Sequence, residues 1–241
     1  MKLYCFTNQL WDSKDETRKV FPRLRADSLR TGKELFIEKK IWHIKYVNEC
    51  PTFDYFTMVK GGDYKKEDDW ILLDCYSFIG TKVPISIIGY CISPKLKEIL
   101  ESYLIAPPYK FYPCKVKFKG QKLDYFIFQC SFDDLNEVLF DKSSFAYYEY
   151  SDINRILHEI EGINNLVEYN DRVINFAKNG MSLEFIKKTY PRFYDIIPFN
   201  MFAISERLKC AIEGAELTGV EIKPIENMEF DFEKGVPENL I

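Results

Sequence analysis

The stretch Ile41-Trp42-His43-Ile44-Lys45-Tyr46-Val47 interleaves β-branched and aromatic residues with polar ones, the pattern of a half-buried strand. Met1-Lys2-Leu3-Tyr4-Cys5-Phe6-Thr7-Asn8 reads as a short first strand, and strand residues resume at Trp70-Ile71-Leu72-Leu73. Between them, Gly61-Gly62-Asp63 predicts a turn and Lys65-Lys66-Glu67-Asp68-Asp69 a charged loop. Residues 14 to 40 are dense in charge and predict surface loops with a helix turn.

Pro84-Ile85-Ser86-Ile87-Ile88-Gly89-Tyr90-Cys91-Ile92 predicts a strand that runs straight into Ser93. A serine there accepts free amide hydrogens of a first helical turn, and Pro94 has no amide hydrogen to leave unpaired, so a helix starts at Ser93. Leu96, Ile99, Leu100 and Tyr103 share one face of it, and Pro107-Pro108 closes it. Residues 110 to 118 follow as a strand with alternating lysines; after the turn at Gly120-Gln121, residues 123 to 128 predict its hairpin partner.

Residues 137–140 and 145–150 predict further strands separated by Asp141-Lys142-Ser143-Ser144. Ile153, Ile156, Leu157, Ile160 and Ile163 recur at helical spacing, which predicts an amphipathic helix after Ser151-Asp152. Another short helix is predicted from Ser182 to Lys188, stopped by Pro191.

The strand, serine and helix grammar occurs twice, 112 residues apart: Ile92, Ser93, Leu96 and Lys97 match Ile204, Ser205, Leu208 and Lys209. Each copy has a proline-led apolar stretch before it (Pro84 or Pro198) and a proline-interrupted strand after it, Phe111-Tyr112-Pro113 or Glu221-Ile222-Lys223-Pro224. Part of this match is the general preference for serine wherever a strand enters a helix. Both units read as scaffold. The pattern predicts an α+β fold of mixed, largely antiparallel sheets with a twice-occurring strand-helix-strand unit. A strand-rich part over residues 1–80 and an α+β domain over residues 81–241 are the expected divisions.

The run Ile204-Ser205-Glu206-Arg207-Leu208-Lys209, followed by Leu217-Thr218-Gly219-Val220-Glu221-Ile222-Lys223-Pro224, resembles the signature of immunity protein family eleven. That family comprises cytoplasmic antidotes encoded in bacterial polymorphic toxin loci. Tyr125-Phe126-Ile127-Phe128-Gln129, then Asp141-Lys142-Ser143-Ser144-Phe145, then Pro191-Arg192-Phe193-Tyr194-Asp195-Ile196-Ile197, are similar to its order of short blocks. The resemblance covers roughly residues 84 to 226; the charged amino-terminal part and the aromatics between 145 and 194 depart from the pattern. It implies inhibition by binding a cognate protein toxin, with no catalytic residue, and marks no toxin-contacting position.

Composition narrows the remaining classes. A hydrophobic share of 46% and a charged share of 29% are values of a folded chain, and 20 Phe with 16 Tyr supply ring area for a core or an interface. The net charge of -4, with both signs mixed along the chain, gives no footprint for a nucleic-acid backbone and suits a basic partner. No run is long enough to span a bilayer and no signal-peptide pattern opens the chain, which predicts a cytoplasmic protein without membrane contact.

The seven cysteines, none closer than 16 residues to the next, form no metal or redox motif and read as buried hydrophobes in a reducing compartment. His43 and His158 stand apart from any motif, and neither a nucleotide loop, a zincin helix nor a hydrolase elbow occurs. No catalytic, cofactor or metal residue is expected, and no cofactor. An enzyme with an unfamiliar site, using Cys75, Cys91 or Cys130, and a subunit of a larger assembly are the alternative readings.

Asp68-Asp69 and Asp133-Asp134 are adjacent loop carboxylates and read as solvated. The candidate partner-binding positions are the acidic loop residues Glu67, Asp68 and Asp69 and the tail residues Glu226, Glu229, Phe230, Asp231, Phe232 and Glu233. That tail alternates acid with apolar side chains and reads either as an edge strand or as a surface where charge speeds encounter and rings hold the complex.

Overall fold

The computed structural model describes residues 1–8, 23–26, 55–59, 71–78, 89–130, 135–198 and 202–237. Its strands are β1 (Leu3–Asn8), β2 (Arg23–Ala26), β3 (Phe56–Val59), β4 (Cys75–Tyr76), β5 (Tyr90–Ile92), β6 (Tyr109–Phe118), β7 (Gln121–Cys130), β8 (Ser144–Glu149), β9 (His158–Ile160), β10 (Met181–Tyr190), β11 (Ile196–Pro198), β12 (Phe202–Ser205), β13 (Val220–Pro224) and β14 (Glu229–Phe232). The α-helices are α1 (Pro94–Glu101), α2 (Leu166–Lys178) and α3 (Glu206–Gly214). The fold is α+β, mostly sheet, with mixed and antiparallel pairing. The expected strand at 41–47, the turn at 61–63, the charged stretches at 14–40 and 65–69, Asp133-Asp134 and most of the run 84–88 lie outside the described residues.

Two compact units result: Tyr4–Asp133 with Tyr194–Lys223, and Met1–Leu3 with Asp134–Phe193 and Pro224–Ile241. Strands from either side of residue 80, β4 and β5, pair in one sheet, so the units do not divide there.

In the larger unit a six-stranded sheet runs β2-β3-β6-β7-β5-β4. Both of its faces are covered, which is why Tyr90, Cys91 and Ile92 of β5 are all fully buried and the strand shows no polar alternation. One face gathers Leu24, Phe56, Tyr76, Cys91, Tyr112 and Ile127, the other Tyr90, Ile92, Phe128, Phe202 and the helix residues Leu96, Leu100, Leu208 and Ile212. A second sheet, β11-β12-β1-β13, lends Phe6, Ile196 and Ile204 to that second face.

The twofold grammar of the sequence is realised in this unit. Ser93 caps α1 by accepting the Leu96 amide hydrogen at 3.2 Å, and Ser205 caps α3 by accepting that of Leu208 at 3.3 Å. Each cap is worth about 1 kcal/mol. Burying Leu96 and Leu100, or Leu208 and Ile212, adds about 1.5–3 kcal/mol per side chain.

The smaller unit holds the sheet β14-β10-β8-β9, with β14 parallel to β10 and the other pairs antiparallel. Three expectations are corrected here. No helix follows Ser151-Asp152: Asp152 takes the amide hydrogens of Asn154 (2.9 Å) and Ile156 (2.7 Å) on its carboxylate, which folds a turn, and β9 begins at His158. Residues 182–188 belong to β10, because pairing with β8 on one side and β14 on the other outweighs their weak helical spacing. Residues 137–140 are not a strand; two 3-10 turns, Leu135–Glu137 and Phe140–Lys142, occupy the region.

A helix not expected from periodicity, α2, lies against β10 and β8. Asn165 accepts the Glu168 amide hydrogen at 2.9 Å while Glu168 accepts that of Asn164 at 2.7 Å, a reciprocal cap that was legible as Asn-x-x-Glu. The helix buries no residue completely; it rests on ring contacts, Tyr169 with Phe145 and Phe185 at 5.8 and 5.0 Å and Phe176 with Tyr147 at 5.0 Å.

Candidate functional site

Two aspartates of the larger unit, for which the sequence pattern predicts no role, each gather several hydrogen bonds. Asp195 is fully buried; its Oδ1 accepts from Ser205 Oγ (2.6 Å) and Arg207 Nε (2.7 Å), and its Oδ2 from Arg207 Nη2 (2.5 Å) and the Leu104 amide (3.0 Å). Asp74 does the same for the other copy, accepting from Ser93 Oγ (2.6 Å) on Oδ1 and from the Thr218 amide (2.9 Å) and hydroxyl (3.0 Å) on Oδ2. The arrangement is crossed: Leu104 follows α1 yet binds the acid that secures α3, and Thr218 follows α3 yet binds the acid that secures α1.

With four donors on Asp195, the carboxylate is held as a structural acceptor, and it in turn holds the Arg207 guanidinium in its charged form. A sequence signal existed, an acid directly before each short apolar strand in Asp74-Cys75-Tyr76 and Asp195-Ile196-Ile197, but the partners are distant in the chain.

The cysteines named for an enzymatic reading are all buried. Burial pushes the Cys75 and Cys91 thiols well up, so neither is held as a thiolate nucleophile; Cys91 Sγ sits 3.6 Å from Cys114 Sγ. His158 is exposed and stacks on Tyr147 with centroids 5.2 Å apart, and His43 lies outside the described residues.

Among the acidic and aromatic candidates, Glu67, Asp68 and Asp69 also lie outside the described residues. Glu226, Glu229, Asp231 and Glu233 are exposed on and beside β14, with Lys187 3.9 Å from Asp231 and Lys142 paired to Glu233. Phe230 and Phe232 face the other way. They are 1% and 7% exposed, and Phe232 meets Phe193 at 5.3 Å, so these two rings build the core and are withdrawn from the candidate surface.

Exposed apolar residues gather instead in a segment the sequence reading assigned to a helix. Tyr150, Ile153, Ile156 and Leu157 are 62%, 97%, 57% and 47% exposed and lead directly into β9, an edge strand. Arg155 within the segment adopts a positive φ of 48° and lies over the Tyr148 ring at 5.3 Å.

Among the described residues, β9 pairs with β8 alone. The Tyr150 amide donates to Gly180 O at 2.8 Å, which fixes the side on which β8 bonds to β10. Because backbone groups alternate sides along a strand, Phe145 and Tyr147 turn theirs to Ile160 and His158, and Glu159 turns its N–H and C=O away from the sheet. At the Ile160 end a groove of ≈ 460 Å³ opens, whose lining includes Phe145, Ile160, Ile163, Asp141, Glu159 and Glu161.

Among the described residues no helix is long and apolar enough to cross a membrane, and no cluster of three or more His, Cys, Asp or Glu side chains is placed to hold a metal ion. In comparison with known proteins, no family model matches the chain and no curated protein matches it in sequence.

Proposed function

We propose that this chain is a cytoplasmic immunity protein that binds a cognate polymorphic toxin and neutralises it. The observation that carries the reading is the run of outward apolar side chains, Tyr150, Ile153, Ile156 and Leu157, beside β9, an edge strand among the described residues. Water exposure of that much aliphatic and aromatic surface is unfavourable unless a partner covers it in use. The sequence blocks that resemble immunity protein family eleven point to a toxin as the partner, and the exposed acids Glu226, Glu229, Asp231 and Glu233, on and beside β14 at the other edge of that sheet, favour encounter with a basic protein.

Inhibition then needs no bond making: a tightly held partner is blocked by the surface that covers it. Co-expression with the protein encoded by the adjacent gene tests this. Rescue of growth and co-purification of the two chains are the expected results, and toxicity undiminished by this chain, with no complex formed, refutes the reading.

A further inference from the structure

We infer that Asp152 is a positioning residue for the contact with the toxin: it holds residues 150–157 in one shape before the partner arrives, so that Ile153 is already presented when the two proteins meet. This deepens the toxin-binding reading and rests on it.

The segment has an alternative shape. Ile153, Ile156, Leu157 and Ile160 stand at helical spacing, and a helix would gather them on one face. Asp152 diverts the chain from it. Its two carboxylate oxygens take different amides, Oδ1 that of Asn154 at 2.9 Å and Oδ2 that of Ile156 at 2.7 Å. Its backbone takes part as well, since the Asp152 amide donates to Glu149 O at 3.0 Å and its carbonyl accepts the Arg155 amide at 3.2 Å. One side chain therefore fixes the backbone on both sides of Arg155, whose φ of 48° lies in the left-handed region that a Cβ disfavours. The Arg155 guanidinium rests over the Tyr148 ring at 5.3 Å.

Both ends are anchored. The Tyr150 amide donates to Gly180 O at 2.8 Å, and His158 pairs with Tyr147 across β8 and β9. Between these anchors Ile153 is 97% exposed, so it contributes nothing to the core that would explain a strained turn around it. What the turn supplies is a fixed apolar surface. A partner that meets such a surface loses less conformational freedom than one that must order a mobile segment.

The test uses the full chain, isotope-labelled for amide hydrogen exchange, with a synthetic peptide of residues 149–158 as the unstructured reference. The binding probe is the protein encoded by the adjacent gene. In the free chain the Asn154 and Ile156 amides exchange at least about tenfold more slowly than in the peptide. Asp152→Ala abolishes protection at both, leaves the β8 and β10 amides protected, and weakens capture of the probe by about tenfold or more. Asp152→Asn keeps one of the two acceptor oxygens, so one amide stays protected and capture falls by less. Ile153→Ala leaves both amides protected and still weakens capture, which separates contact from positioning.

Asn154 and Ile156 amides that exchange as in the peptide, loss of β8 and β10 protection in Asp152→Ala, or undiminished capture by that variant each overturns the inference. The two readings also separate. Undiminished capture by Asp152→Ala removes the positioning role and leaves the immunity function. Absence of capture by the native chain, with amide protection lost only on removing the Asp152 carboxylate, removes the immunity function and supports Asp152 as the residue that fixes the segment.

Discussion

Ser205 donates its hydroxyl hydrogen to Asp195 Oδ1 at 2.6 Å, so the residue that caps α3 is itself fixed by an acid ten positions earlier in the chain. Ser93 and Asp74 repeat the contact at the same distance for α1. The two acids differ in their surroundings, and the difference is measurable.

Asp195 is fully buried against a guanidinium whose side chain is 31% exposed, whereas Asp74 is half-buried and has Thr218 in place of an arginine. Removing one partner of a buried ion pair leaves the other uncompensated, at about 3–5 kcal/mol. Asp195→Ala is expected at about 3 kcal/mol, the lower end of that range, because Arg207 regains water. Asp74→Ala is expected at about 1–2 kcal/mol. Urea unfolding midpoints of the two variants check the order, and equal losses would refute it.

Two glycines with positive φ provide a second contrast. A Cβ at Gly89, φ 139°, meets the Phe128 carbonyl oxygen at 2.0 Å, while one at Gly180, φ 74°, meets nothing within 4 Å. Gly89→Ala therefore carries both backbone strain and a steric clash with a buried strand, an expected loss of about 3 kcal/mol or more. Gly180→Ala carries the strain alone, about 1–2 kcal/mol. Thermal unfolding of both variants measures the gap.

Surface and core exchange roles between the tail and the 150–157 segment. Phe232→Ala removes a ring packed on Phe193 and Tyr190 and is expected to cost about 3–5 kcal/mol. Ile153→Asp, at a side chain 97% exposed, is expected to change stability by no more than about 0.5 kcal/mol while weakening capture of the toxin. Denaturation and co-purification run on both variants separate the two effects.

Acid acts on the start of α2. Hydrogen bonds from the Asn164 amide hold the Glu168 carboxyl below its ordinary value. A depressed folded-state pKa means that the contribution is present above the unfolded value and is lost as pH falls through the lower folded one. Glu168→Gln is expected to abolish that part of the acid dependence, read from the Asn164 amide resonance between neutral and acid pH.

Thiol reactivity follows burial. Of the cysteines described, Cys210 is exposed on α3 while Cys75, Cys91, Cys114 and Cys130 are buried, so a maleimide reagent is expected to modify Cys210 before those four in the native chain. Mass mapping of the labelled peptides checks the order, and early labelling of Cys91 would contradict it.

The two strand-helix-strand units were legible because their signals are local: Ser93 and Ser205 bond amides three residues on, and Pro94 sits where its missing hydrogen harms nothing. The β6–β7 hairpin was legible for the same reason, from a turn between two alternating runs. The 151–163 stretch misled because helical spacing alone does not supply a surface to bury; Asp152 captured two amides locally, and Ile153 was left in water. Strand β10 was hidden because its neighbours are residues 144–149 and 229–232, both remote in sequence.

The sequence by itself thus determined the α+β class, the serine-capped helices α1 and α3 and the hairpin, since each depends on interactions a few residues apart. Only the tertiary structure decided that Asp74 and Asp195 hold the two strand-helix-strand copies crosswise, that Phe230 and Phe232 are core, and that β9 is an edge strand among the described residues. Those outcomes depend on which distant segments share a sheet, and a strand's free side exists only once its other side is paired.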